Sequence, residues 1–130
     1  MLLHVWGTAD VAALAALACE YGGTDFIFGH SGGEEDAVAM AAKVASERDN
    51  IYLDTACSYV WQGAIEHMTS VAGAEKILFG SDAYWNSMEV AIGRVLFADI
   101  SDEEKMMILG QNAKRLFRWG APPDGSVESL

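Results

Sequence analysis

Four side chains that can carry chemistry stand at the ends of apolar runs in this chain. Each run ends in a histidine or an aspartate, and these residues are His4, His30, Asp54 and Asp82. Imidazole and carboxylate groups bind divalent ions, and imidazole also transfers protons near neutral pH. If the runs are strands of a parallel α/β sheet, all four groups lie at the carboxyl ends of the strands, where such folds bind their ligands. The pattern therefore predicts a metal site, or part of one.

The segments that must position these groups predict four strand–helix units. Strands are predicted over 1–5, 25–29, 51–54 and 76–80, and helices over 11–18, about 34–48, 59–71 and 86–98. Ser101 and Glu104 have the spacing of a capping box, and they open a final helix through Phe117. Because crossovers of this length join parallel strands, the sequence predicts an α/β fold with a parallel four-stranded sheet and an extra C-terminal helix.

Local signals refine these boundaries. We expect Thr8 or Asp10 to cap the first helix, which should stop near Gly22, and we expect residues 31–33 to form a flexible turn. The Pro, Gly and Ser content of residues 120–130 predicts a flexible tail.

Composition and charge limit the classes of protein. Hydrophobic residues make up 52% of the 130 residues and only 2 are proline, which indicates one folded domain over 1–119. The net charge of −11 argues against nucleic acid and anionic membranes as partners. Cys19 and Cys57 lack metal-like spacing, and neither a secretory leader nor a membrane-length apolar run is visible, so we expect a cytoplasmic protein with reduced thiols.

Four motifs in order resemble a known family. They are Leu-Leu-His-Val-Trp-Gly at 2–7, Gly-His-Ser-Gly-Gly at 29–33, Asn-Ile-Tyr-Leu-Asp-Thr at 50–55 and Ile-Leu-Phe-Gly-Ser-Asp at 77–82. This order is similar to that of amidohydrolase-related proteins, which are metal-dependent (β/α)8 barrels that include hydrolases and decarboxylases. Residues 101–105 and 111–116 also resemble the family's closing helix. The resemblance implies the second half of such a TIM-type barrel, strands five to eight.

The resemblance also implies roles for individual residues. His4 and Asp82 match metal ligands, with zinc the expected ion, and Asp82 can also take a proton from bound water. His30 matches a histidine that supports the metal or acts as acid and base beside the substrate. The family's first strand carries a His-x-His pair that this sequence lacks. We therefore expect an incomplete ligand set and an isolated chain with little or no activity.

Other residues allow two interpretations. Asp54 either satisfies local backbone amides or lies beside the site and orients another group. Trp6, Tyr84 and Trp85 follow strand ends, so they either wall a pocket for a ring-shaped substrate or simply pack. His67 falls within a predicted helix, and a surface position is expected for it.

Two functions from different classes remain. The first is the C-terminal half of a metal-dependent enzyme that hydrolyses or decarboxylates a small carboxylated or cyclic substrate. The second is a non-catalytic half-barrel that assembles with itself or with a complementing N-terminal half. It rests on the expectation that inner side chains lack a facing layer, among them Leu3, Ile27, Leu53 and Leu78 or their alternating neighbours. A phosphoacceptor receiver domain is disfavoured, because the acidic pair that it requires after the first strand is absent.

Overall fold

A computed structural model describes residues 1–57 and 61–119 of the chain. Strands and helices alternate along it: β1 Leu2–Trp6, α1 Gly7–Glu20, β2 Phe26–Gly32, α2 Glu35–Glu47, β3 Ile51–Asp54, α3 Ala64–Ala72, β4 Ile77–Leu78 and α4 Met88–Leu96. A helical segment follows, made of α5 Asp102–Met106, a π-helical turn Met107–Gln111 and α6 Asn112–Leu116. The expected tail at 120–130 lies outside the described residues.

The four strands form one parallel sheet in the order β1-β2-β3-β4. Leu3 pairs with Phe28, Phe28 with Leu53 and Leu53 with Ile77, so one row of side chains crosses the whole sheet. This topology confirms the predicted (βα)4 arrangement with its extra C-terminal helix. Strands in sequence order with helical crossovers are the arrangement found in half of a TIM-type barrel.

The core lies between one face of this sheet and the helices. Val5, Phe28, Leu53 and Ile77 point to that face and are each 0% exposed. Helix α2 packs against them with alanines, whose small side chains let the helix approach the sheet closely. The helix-facing side of the sheet is therefore a continuous apolar layer.

The opposite face of the sheet is more covered than the sequence predicted. Since successive side chains of a strand alternate in direction, Leu3 and Leu53 belong to the helix side and only Ile27 and Leu78 face away from it. Ile27 is 5% exposed and Leu78 is 4% exposed. Ile27 is shielded because Leu2 and Tyr52 flank it in the same row. Leu2, on the edge strand, is the exposed member at 64%.

Two predicted boundaries, those of β4 and α3, were wrong, and the backbone accounts for each. Strand β4 is shorter than predicted because the N–H of Phe79 donates to the carbonyl of Ile108, in the last helical segment. Helix α3 begins at Ala64, since Gly63 has φ +92° and ends the preceding turn in a left-handed conformation. Residues 58–60, where that helix was expected to start, lie outside the described part.

Helix α1 begins earlier than predicted and lacks a side-chain cap. Trp6 occupies its N-cap position, where no side-chain cap hydrogen bond forms, so neither Thr8 nor Asp10 is the cap. The Asp10 carboxylate instead accepts a hydrogen bond of 3.0 Å from the N–H of Trp6.

The predicted capping box of Ser101 and Glu104 is confirmed, with both reciprocal hydrogen bonds present. In the described residues no helix is long and apolar enough to cross a membrane, and the cytoplasmic location stays a prediction.

Candidate functional site

Three rings meet at the carboxyl ends of β1 and β2. The ring centroids of His4 and His30 lie 4.7 Å apart at an interplanar angle of 75°, and those of Trp6 and His30 lie 5.9 Å apart at 68°. His4 and Trp6 stack nearly parallel at 6.1 Å. The alternation of β1 puts His4 and Trp6 on the same face, away from the helices. Two of the candidate histidines and one candidate pocket aromatic are therefore brought together.

The end of β2 holds His30 in an uncommon backbone conformation. His30 and Ser31 have φ values of +67° and +51°, although neither is glycine, and Gly32 and Gly33 continue the left-handed run. The segment is not the loose turn that the sequence predicted, because Ser31, Gly32 and Gly33 are buried. Gly33 is required here: a Cβ at this position would lie 2.6 Å from the Trp6 ring. Residues 30–33 thereby end β2, and Gly33 lies against the Trp6 ring.

Asp54 is the last residue of β3 and lies beside His30 at the carboxyl edge of the sheet, which we call the rim. Its Oδ1 accepts hydrogen bonds from the backbone N–H groups of His30 at 2.7 Å and Ala56 at 3.1 Å. Burial raises the pKa of Asp54 to about 6, the two backbone hydrogen bonds oppose that rise, and the nearby Asp82 carboxylate adds to it. Asp54 therefore satisfies local amides, which is one of the two roles considered for it, and one of these amides belongs to His30.

Asp82 lies in the loop that follows β4. Its φ is +55°, and its carbonyl accepts hydrogen bonds from the N–H groups of Trp85 and Asn86 at 3.0 Å each. The Asn86 side chain donates to Asp82 Oδ2 at 3.0 Å and so orients the carboxylate. Asp82 therefore follows the carboxyl end of β4, as Asp54 ends the neighbouring strand β3. All four strand-end groups thus lie on one rim, in the order of their strands.

The donor atoms suit a divalent ion, but the set is incomplete. Imidazole nitrogen and carboxylate oxygen are ligands of zinc and similar metals, which take three or four protein ligands. Among the described residues, no group of three His, Cys, Asp or Glu side chains is placed to hold an ion. These residues therefore do not form a closed metal site by themselves.

Two of the expected pocket aromatics point into solvent. Tyr84 is 105% exposed and Trp85 is 88% exposed, so neither encloses a cavity here. His67 also differs from expectation: it is half-buried rather than a surface residue, and its buried Nε2 has no hydrogen-bond partner among residues 1–57 and 61–119.

Sequence reasoning missed a cavity of about 330 Å³ beside the Asp82 loop. It is lined by Cys57, Ser81, Asn86, Ser87, Val90, Ala91 and Arg94. Arg94 Nη1 donates to the carbonyls of Cys57 at 2.8 Å and Thr55 at 3.3 Å, and burial lowers its pKa. The sequence contained a sign of this contact, because Arg94 stands on helix α4 three residues after the buried Ala91 and directly before the buried Val95. A cation on the apolar face of a helix indicates a specific partner.

The sequence and the fold match those of the amidohydrolases. The family's profile matches residues 3–119, and the chain belongs to this family. No curated protein sequence matches the chain. Solved structures do, with less than 25% identity, and they support the fold.

Three of these structures illustrate the likeness. An amidohydrolase 2 from Bifidobacterium longum subsp. infantis is 17% identical with a TM-score of 0.73, over 90% of this chain and 48% of that one. A 2,6-dihydroxybenzoate decarboxylase from Rhizobium is 19% identical with a TM-score of 0.67, over 85% and 40%. A dihydroxybenzoic acid decarboxylase from Polaromonas sp. JS666, with bound manganese and the inhibitor 2-nitroresorcinol, is 20% identical with a TM-score of 0.66, over 85% and 39%. The chain thus spans less than half the length of each.

Proposed function

We propose that this chain supplies the C-terminal half of the catalytic rim of a metal-dependent amidohydrolase, which hydrolyses or decarboxylates a small carboxylated or cyclic substrate. The observation that carries the proposal is the cluster of the His4, His30 and Trp6 rings at the carboxyl ends of parallel strands, where the Asp54 carboxylate bonds to the backbone of His30. Membership of the amidohydrolase family supports it. Decarboxylases of dihydroxybenzoic acids among the similar structures suit a ring-shaped, carboxylated substrate.

His4 and Asp82 are the proposed metal ligands. Zinc is the ion expected from the sequence, and manganese is an alternative because the Polaromonas decarboxylase binds it. Since the described residues gather no three-ligand group, the proposal assigns the remaining ligands to residues other than the described ones. In the proposal the isolated chain holds the ion weakly and turns over little or no substrate.

His30 and Trp6 are proposed to act on the substrate. The ring of His30 is half-buried on the rim and can accept or donate a proton at Nε2, because Nδ1 bonds to the carbonyl of Ala56. Trp6 presents a ring to the same space and suits stacking on an aromatic substrate. Asp82 can serve as a second proton acceptor.

Calorimetric titration of the purified chain with zinc or manganese chloride tests the ligand assignment. We expect weak binding that His4→Ala and Asp82→Ala each abolish and that the matched control His67→Ala leaves intact. Binding that is indifferent to both substitutions would mean that other residues hold the ion. Tight stoichiometric zinc, lost in both variants, would instead contradict the proposal that this half is incomplete.

A non-catalytic half-barrel that assembles is the second candidate. It is favoured by the open edge of β1, where Leu2 is 64% exposed, and by an apolar cavity of about 670 Å³ beside β4. Phe79, Leu109 and Trp119 are among the residues that line this cavity. A complementing N-terminal half or a second copy of the chain would cover both features. Sedimentation velocity over a range of concentrations separates this candidate from a self-sufficient monomer.

A further inference from the structure

Three hydrogen bonds connect the side chain of Asp54 to the backbone and the ring of His30, two of them through the backbone of Ala56. Asp54 Oδ1 accepts from the N–H of His30 at 2.7 Å and from the N–H of Ala56 at 3.1 Å. The carbonyl of Ala56 in turn bonds to Nδ1 of His30. The carboxylate therefore fixes both the backbone that carries the imidazole and the backbone group that the imidazole contacts.

The contact with Ala56 decides which ring nitrogen carries the hydrogen. A carbonyl oxygen only accepts hydrogen bonds, so the partner nitrogen Nδ1 must be the donor. In the neutral imidazole the lone pair is then on Nε2. This is the tautomer that can accept a proton at the rim.

The backbone of the β2 end needs such an anchor. Left-handed φ values cost about 1–2 kcal/mol for a residue with a Cβ, and they persist where surrounding contacts over-determine them. His30 and Ser31 both have positive φ. The N–H of His30 donates to the Asp54 side chain, and the Oγ of Ser31 donates to the Asp54 carbonyl at 2.6 Å. Both strained residues are thus held by a single residue of the next strand.

The end of β4 leaves room for this arrangement. A Cβ added to Gly80 would lie 2.7 Å from the Cβ of Ala56 and 3.2 Å from Oδ2 of Asp54. Thr55 adds a further tie, because its Oγ1 exchanges hydrogen bonds of 3.1 Å with the backbone of Gly80. The three strand ends therefore form one interlocked unit around the Asp54 carboxylate.

From this geometry we propose that Asp54 is a positioning residue, which holds His30 in the Nδ1–H tautomer by fixing His30 and Ala56 together. The importance of this tautomer for turnover rests on the function proposed above, whereas the tautomer itself does not. Asp54 acts through His30 and is not assigned a contact with substrate.

Nitrogen NMR of the chain with ¹⁵N-labelled histidine tests the proposal without any assay of activity. Long-range ¹H–¹⁵N spectra, recorded at a pH where the ring is neutral, distinguish the two tautomers, and His30→Gln identifies the His30 signals. We expect wild-type His30 to be in the Nδ1–H form. Asp54→Ala should shift its tautomer ratio toward the Nε2–H form by about tenfold, the value of one net hydrogen bond.

Conservative and control variants separate positioning from general stability. Asp54→Asn keeps an acceptor oxygen and should restore the wild-type tautomer. Asp10→Ala removes a carboxylate that also accepts a backbone N–H, that of Trp6, and should leave the tautomer ratio of His30 unchanged. A wild-type His30 in the Nε2–H form overturns the proposal even if Asp54→Ala does not fold, and so does a folded Asp54→Ala with an unchanged ratio. Failure of metal binding or turnover would count against the proposed function alone, since the tautomer is measured in the chain without metal or substrate.

Discussion

The side-chain amide of Asn112 donates a hydrogen bond of 2.7 Å to the carbonyl of Ile77, which ties the last helical segment to the edge strand β4. The same amide reaches the carbonyl of Ala74, also at 2.7 Å. Asn112 is 0% exposed. The π-helical turn before it adds a third tie, from the N–H of Phe79 to the carbonyl of Ile108. A strand of only two residues is thus held by the helix beside it.

Asn112→Ala should lower the free energy of unfolding by about 1–3 kcal/mol, because two buried carbonyls lose their donor. Urea denaturation at neutral pH measures the change. Gln111→Ala is the matched control, since Gln111 is the exposed neighbour in the same segment, and its effect should be within about 0.5 kcal/mol. Equal effects of the two substitutions would contradict this role of Asn112.

Much of the fold was predictable because its signals are local. The apolar runs that end in His4 and Asp54 predicted β1 and β3 to within one residue, and the capping box located the start of α5. Strand β4 was overestimated because Phe79 bonds to the carbonyl of Ile108, a partner far along the chain. A hydrophobic run cannot show which partner satisfies its backbone.

The buried carboxyl of Asp54 makes stability depend on pH. Its pKa is raised from 3.8 to about 6 by burial, so the folded chain binds more protons than the unfolded chain between those values. Asp54 therefore contributes stability that is present below about pH 4 and is lost as the pH rises through 6, up to about 3 kcal/mol. The difference in unfolding free energy between wild type and Asp54→Asn should change by this amount from pH 4 to pH 7.

Because wild type and Asp54→Asn share every other acidic residue, the pH-dependent contributions of those residues cancel in the difference between the two unfolding free energies. Asp99→Asn serves as the control, because Asp99 is exposed. Its effect on the free energy of unfolding should stay within about 0.5 kcal/mol. A pH-independent difference for Asp54→Asn would show that the carboxyl has the same pKa in the folded and unfolded chain, and would contradict this prediction.

Gly33 determines where the Trp6 ring lies. Gly33→Ala places a Cβ 2.6 Å from that ring at a φ of +72°, so both the backbone and the ring must shift. We expect a loss of about 1–3 kcal/mol in thermal unfolding and a change in the near-ultraviolet circular dichroism of the tryptophans. Gly22→Ala meets no atom within 4 Å and should be neutral or slightly stabilising.

The sequence predicted which residues lie at the candidate site better than it predicted the hydrogen bonds that hold them. Because parallel strands end at one rim, the sequence alone grouped His4, His30, Asp54 and Asp82. The carbonyl of Ala56 and the guanidinium of Arg94 were missed, since a backbone acceptor and a helix residue carry no strand-end signal. The exposure of Trp85 was missed because it depends on the path of a loop with positive φ at Tyr84.

The open edge of β1 gives the last prediction, which concerns association. Leu2 is 64% exposed on this edge strand, where its side chain lies on the sheet face away from the helices, and a second copy that extends across the edge and this face would cover it. We expect wild type to associate as its concentration rises, and Leu2→Lys to weaken that association at least tenfold, about 1.4 kcal/mol, because a charged lysine opposes pairing at an edge strand. Leu17→Lys makes the same change on helix α1, where Leu17 is 36% exposed, and should leave association unchanged. Sedimentation equilibrium on the three proteins measures the constants, and a wild type that stays monomeric at high concentration would exclude self-association through this edge.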